Sequence, residues 1–174
     1  MKIHCKEVEF DRIQQLKESE NITELNIFLD DTMRFFEMHI DDEFVMFFRL
    51  RNRHCVSTVG NAYTFPKYRK QGYSKIMYYC SMKLIDDLFP KTEIFYGQTE
   101  PDNINNIMCE RIWGWENRRE ETHEPNRFGF IDWAYEPPKG FVDFIYYDDW
   151  SRVKDRHNAK LILFNMTYEL LEKK

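Results

Sequence analysis

The sequence predicts a mixed α/β (α+β) fold in one domain, and three observations carry that reading. Two strand-like runs, Glu43–Leu50 and Cys55–Phe65, flank a short polar turn. A stripe of apolar residues at helical spacing follows over Gln71–Phe89, and a further strand-like run, Thr92–Gln98, comes after it. Strands alternating with helices at this spacing build a sheet covered by helices.

Taken in order, Lys2–Phe10 alternates in character and reads as a strand. Asp11–Ser19 reads as a helix. Thr23–Phe36 reads as a second one, because Leu25, Phe28, Leu29, Met33 and Phe36 recur at helical spacing. Glu43–Leu50 carries Phe44 to Phe48 as a dense apolar run, and Arg51–Asn52–Arg53 is the expected hairpin turn into Cys55–Phe65. Pro66 cannot donate to a ladder and ends that strand. Beyond it, Tyr73, Ile76, Met77, Cys80, Leu84 and Leu88 form one stripe that Pro90 closes. Asp102 is a good N-cap for a helix to about Trp113, with Gly114 as its stop. Phe128–Tyr135, Phe141–Tyr147 and Leu161–Tyr168 read as strands joined by loops rich in proline and charge.

Composition narrows the function classes. The 174 residues suit one domain, expected to span 1–174, and 43% apolar content with 17% aromatics supplies a ring-rich core. A net charge of -5 speaks against a general nucleic-acid binder, although it does not oppose a local cationic cluster. The four cysteines, at 5, 55, 80 and 109, are far apart in sequence, the histidines are scattered, and no metal framework is expected. No apolar run nears the ~20 residues that a bilayer span requires, and the N-terminus lacks a signal-peptide core. A cytoplasmic protein with reduced thiols is the expectation.

The chemistry concentrates at Phe65-Pro66-Lys67-Tyr68-Arg69-Lys70-Gln71-Gly72-Tyr73-Ser74-Lys75. Here a strand ends, a proline breaks it, and a glycine turn opens a long helix. The first N–H groups of a helix have no intrahelical acceptor, and the helix dipole adds partial positive charge there. Such a start favours an anion like a diphosphate. Gly72 removes a side chain where the phosphate would approach, and Lys67, Arg69, Lys70 and Lys75 add charge. The same segment also reads as an ordinary helix start with a solvated basic turn.

These residues resemble the first signature of the GNAT acyltransferases, R/Q-x-x-G-x-G/A after a proline and an aromatic. Pro66, Tyr68, Arg69 and Gly72 match, and Ser74 replaces the second glycine or alanine. The family's second signature, an Asn-initiated helix ending in Gly-Phe, is similar to Pro101-Asp102-Asn103 followed by Gly114-Trp115. Asn106 stands in its alanine place. The resemblance covers about Phe44 to Trp115.

The resemblance implies a splayed central sheet flanked by helices, with a bulge near Tyr63–Phe65. It implies acetyl-CoA as co-substrate and no metal. The diphosphate would rest on the amides of Lys70, Gln71, Gly72, Tyr73 and Ser74, with Arg69 and Lys75 beside them. Asn103 would hold the cofactor arm, and a backbone N–H at the Phe65 strand end would polarise the acyl carbonyl. The family's frequent tyrosine acid falls at Glu110, seven residues after Asn103, which a helix places on nearly the same face. Glu110 would donate a proton only if burial raised its pKa; otherwise it is a surface residue pairing with Arg111 or Arg118. His54 is the candidate base, or a solvated hairpin histidine beside Arg51 and Arg53. Cys109 reads as a buried core thiol.

Acidic residues crowd at Asp30, Asp31, Glu37, Asp41, Asp42 and Glu43, and again at Asp143, Asp148 and Asp149. They read either as a solvated face or as a rim that attracts a cationic amine. Phe141, Phe144, Tyr146, Tyr147 and Trp150 would add a stacking surface. The length between Glu116 and Asn158 would shape substrate choice or make a homodimer. The expected activity is acetyl transfer to a primary amine. A GNAT-like module without turnover, or a nucleic-acid-modifying relative carrying Arg49, Arg51 and Arg53, stays open beside it.

Overall fold

The computed structural model describes residues 1–23, 25, 27, 29–99, 116–117, 131–135 and 156–172. The elements are β1 (Ile3–Val8), α1 (Phe10–Ser19), β2 (Met33–Ile40), β3 (Glu43–Arg53), β4 (Val56–Thr64), a 3-10 turn (Pro66–Tyr68), α2 (Tyr73–Leu88), β5 (Ile94–Thr99), β6 (Glu116–Asn117), β7 (Ile131–Tyr135), α3 (Arg156–Asn165) and β8 (Met166–Glu169). They form two compact units. The first holds Met1–Arg51, Val59–Ser81 and Ile162–Lys174, and the second holds Asn52–Thr58 and Met82–Leu161. Among the described residues no helix is long and apolar enough to cross a membrane.

In the first unit the strand order is β4-β3-β2-β1-β8. β1 and β2 are antiparallel, from Ile3↔Ile40 to Val8↔Phe35, while β8 joins the far side of β1 in parallel. β2 and β3 are antiparallel, but Met38 faces Met46 and His39 faces Phe44, which leaves Val45 as an extra residue in a bulge. Side chains alternate across a strand, so the two faces of this sheet have different covers. On one face α1 sets Phe10 against Phe35 (5.3 Å between rings) and Arg12 against Glu37. On the other, Cys5 shares a side-chain hydrogen bond with Cys80 of α2. Phe36 stacks on Phe48 at 5.5 Å, and both are fully buried with Ile3, Met38, Met46, Leu50 and Tyr79.

In the second unit the order is β6-β7-β5-β4. The parallel β4–β5 ladder comprises Val56↔Ile94, Ser57↔Phe95 and Thr58↔Tyr96, although β4 runs on to Thr64 and β5 to Thr99. β7 is antiparallel to both β5 and β6. Ser57 is fully buried, and its hydroxyl meets the Thr92 hydroxyl at 2.7 Å and the Asn52 amide at 2.9 Å.

Three expectations need correction. The helix over Thr23–Phe36 does not form: Leu25, Ile27 and Leu29 are irregular, and Met33–Phe36 opens β2. The strand is central and buried on both faces from Phe35 to Met38, so its apolar residues do not alternate and their spacing imitates a helix. The hairpin turn lies at His54–Cys55, because β3 continues through Arg53. The strand over Leu161–Tyr168 begins only at Met166; before it lies α3, where Ile162 and Leu163 are buried and Leu161 and Phe164 exposed. The expected helix from Asp102 and the strand over Phe141–Tyr147 lie outside the described residues.

Candidate diphosphate-binding turn

The candidate site is the turn between β4 and α2, which belongs wholly to the first unit. Phe65 leaves β4 in an extended conformation and donates its N–H to the Val45 carbonyl at the β3 bulge (3.1 Å). Pro66 fixes φ at the start of the 3-10 turn, which closes through the Tyr68 amide to the Phe65 carbonyl (2.9 Å) and the Arg69 amide to the Pro66 carbonyl (3.2 Å). Tyr68 is buried, and its hydroxyl donates to the Glu43 carboxylate, which ties the turn to β3. An aromatic chain fixes the strand end: Phe65 meets Phe44 at 4.8 Å and Tyr63 at 5.7 Å, and Tyr63 stacks on Phe47.

Past this anchored segment the backbone enters the left-handed region twice, at Lys70 (φ 65) and Gly72 (φ 81). α2 then begins at Tyr73, and the Gly72 carbonyl accepts from the Lys75 amide at 3.1 Å. Among the described residues, none of the main-chain N–H groups of Lys70, Gln71, Gly72, Tyr73 and Ser74 has an acceptor. A β-carbon added at Gly72 would meet nothing within 4 Å, so the backbone is open on that side of Gly72. Open amides at a helix start, with left-handed residues turning the backbone, make a concave anion site.

The side chains around the turn are cationic. Arg69 donates from Nε to the Thr64 carbonyl (3.0 Å) and lies over the Tyr63 ring. Lys67 sits over the Tyr68 ring at 4.4 Å, and the hydrogen bond to Tyr68 and the charge of Glu43 raise its pKa. Gln71 reaches back to the Lys67 carbonyl (3.1 Å) and accepts from the Tyr73 hydroxyl (3.2 Å). Lys70 is exposed and has no acidic partner among the described residues.

The structure thus gathers Phe65, Arg69, Lys70, Gln71, Gly72, Tyr73, Ser74 and Lys75 at one turn. The Phe65 amide is committed to Val45, so polarisation of a carbonyl by that N–H would require the bond to be given up. The distortion expected at Tyr63–Phe65 is displaced: the left-handed residue of β4 is Asn61 (φ 45), and the bulge is on β3 at Val45. His54 is exposed in the turn that precedes β4. Asn103, Glu110 and Cys109 lie outside the described residues. Sequence reasoning named Arg49 only as one of a basic group with Arg51 and Arg53; its guanidinium lies against Gly60 of β4. The signal was available, since an isolated glycine inside a strand marks close approach of another group.

The acidic stretch before β3 is engaged internally. Asp30 pairs with Arg51 (2.7 Å), Glu37 with Arg12 (2.8 Å) and His39 (3.2 Å), and Asp42 with Lys2 (2.9 Å). Asp41 accepts from the Lys2 amide (2.7 Å) and Glu43 from Tyr68.

No family model and no curated protein matches the sequence. Solved structures do match. The ribosomal-protein-S18-alanine N-acetyltransferase of Escherichia coli aligns with a TM-score of 0.57 at 13% identity, over 77% of this chain and 93% of its own. The spermidine/spermine N-acetyltransferase of Vibrio cholerae aligns at 0.60 and 9% identity, over 78% and 92%. A GNAT family acetyltransferase of Elizabethkingia anophelis, with acetyl-CoA bound, aligns at 0.55 and 10% identity, over 78% and 98%. The chain therefore has the fold of the GNAT N-acetyltransferases. At these identities it is the fold that is shared.

Proposed function

We propose that residues 1–174 act as one acyltransferase domain that moves an acetyl group from acetyl-CoA to a primary amine. The observation that carries this reading is the row of open amides from Lys70 to Ser74, at the turn where this fold follows β4 with a long helix. The residues fit the group: the amides have no acceptor among the described residues, and Gly72 presents no side chain beside them, where a β-carbon would meet nothing within 4 Å. Lys70 to Ser74 would hold the diphosphate, Arg69 and Lys75 would add positive charge, and Asn103 would contact the arm. Acetyl-CoA bound there supplies the thioester that an amine attacks directly, with release of coenzyme A.

The chain's own groups have limited proton work to do. An acceptor that arrives as a neutral amine needs no protein base; for a protonated amine His54 is the candidate base. Glu110 is the candidate acid, and it would donate to the leaving thiolate only if burial raised its pKa. The acidic stretch Asp30–Glu43 supports a structural role better than a cationic-amine rim, because its carboxylates already hold Arg12, Lys2 and Arg51. A reading without turnover keeps the same binding site, and a homodimer remains compatible with it.

Release of coenzyme A thiol, followed over a panel of amines, separates enzyme from binding module. Turnover with at least one amine is expected, and Glu110→Gln should lower kcat 10- to 100-fold while leaving acetyl-CoA binding intact. Binding of acetyl-CoA without turnover on any amine would favour the inactive module, and an unchanged kcat in Glu110→Gln would remove that residue from the mechanism.

A further inference from the structure

Arg49 stands apart from every other arginine on the described strands. It is half-buried on β3, its Nε is inaccessible to solvent, and it makes no hydrogen bond or ion pair among the described residues. The neighbouring cations are engaged: Arg51 holds Asp30 at 2.7 Å, Arg34 holds Glu7 at 2.6 Å, and Arg12 holds Glu37 at 2.8 Å. Burial first, and then the like charge of Arg51, depress the Arg49 pKa, while the charge of Asp30, which Arg51 already binds, raises it. A buried cation without a partner costs stability, which a structural role would not explain.

The side chain has a place made for it. The guanidinium lies across β4 at Gly60, where a β-carbon would come within 2.5 Å of Nη2. It is remote from the diphosphate turn. Phe65 bonds to Val45, and Arg49 is four residues further along β3, roughly 13 Å at the rise of a strand. The open amides and Arg49 therefore serve different groups along the same strand pair, β3 and β4.

We infer that Arg49 anchors the carboxylate of the acyl acceptor, so that the substrate is an amine that also carries a carboxylate, as an amino acid does. This inference rests on the acetyl-transfer reading for the amine and adds the second group. A guanidinium is a planar fork that pairs with a carboxylate through two parallel hydrogen bonds. One free guanidinium balances one negative charge, which suits a carboxylate better than a phosphate monoester carrying up to two. The half-buried setting strengthens the pair relative to the same contact in water.

Matched probes isolate that one group: L-lysine against cadaverine, L-ornithine against putrescine, L-phenylalanine against phenethylamine, and L-tryptophan against tryptamine. Each pair differs by the carboxylate alone. Melting of the whole chain is followed with each probe, and coenzyme A release with acetyl-CoA gives kcat/KM. We expect at least one carboxylate member to raise the melting temperature and to exceed its counterpart at least tenfold in kcat/KM. In Arg49→Gln that ratio should fall to near one through KM, with the unliganded protein melting no lower than wild type. Gly60→Ala should do the same by displacing the guanidinium while its charge is kept. If no carboxylate member shifts the melting temperature, or the preference survives both variants, the assignment is wrong. Melting with acetyl-CoA alone judges the acetyl-transfer reading separately, and the carboxylate shift judges Arg49 whichever way that result falls.

Discussion

Cys80 is fully buried, and a hydrogen bond with Cys5, followed by burial itself, raises its pKa well above the ordinary 9.0. A raised pKa means that the folded chain holds this proton more tightly than the unfolded chain does. Its contribution to stability is complete below about pH 9, the unfolded value, and declines as the pH rises beyond it. Urea denaturation between pH 7 and 10.5 should show that decline, and Cys80→Ala should flatten it. Cys55, half-buried at the hairpin, should react with a thiol reagent in the native state well before Cys5 or Cys80. Residues differ in how openly the sequence declares them. Gly72 is visible in the sequence as a glycine directly before a helical stripe, although the same pattern also suits an ordinary helix start. Arg49 does not: among the described residues Asp30 pairs with Arg51 instead, and that choice is made only when β3 and the segment before β2 meet.

At the scale of elements, the carboxylate of Glu7 ties the C-terminal strand to the sheet. Glu7 is buried on β1, receives both Nε and Nη2 of Arg34 at 2.6 Å, and accepts the Leu171 amide at 3.0 Å just past β8. Arg34→Ala would leave this carboxylate buried with one donor. The loss should be about 3 kcal/mol in urea denaturation, since removing one partner strands the other charge. Glu7→Gln with Arg34→Met should recover part of it. The elements that the sequence identified, β1, α1, β3, β4, α2 and β5, each carry one clear period or a breaker at the end. β2 was misread because both of its faces are buried, which erases alternation. α3 was misread because Leu161–Phe164 is a short apolar run, and length alone does not separate helix from strand there.

The order of strands and helices follows that of known acetyltransferases although identity is 9–13% in the structures compared, so the fold persists where most side chains have changed. What the sequence displays is a glycine before α2, and the fold holds it in the left-handed region (φ 81). What it did not reveal is how the charges on the described strands pair, because that is decided by the folded sheet.

The most direct measurement is thermal unfolding of the chain with and without acetyl-CoA, for wild type, Gly72→Ala and Gly72→Glu. Wild type at one hundred times the dissociation constant should gain ~2.7 kcal/mol. Gly72→Ala should lose ~1 kcal/mol of intrinsic stability to its left-handed backbone yet keep a measurable shift. Gly72→Glu should fold with a similar penalty and show no shift, because a carboxylate then stands where the diphosphate must lie. A full shift in Gly72→Glu, or none in wild type, would contradict the placement of the diphosphate on the Lys70–Ser74 amides.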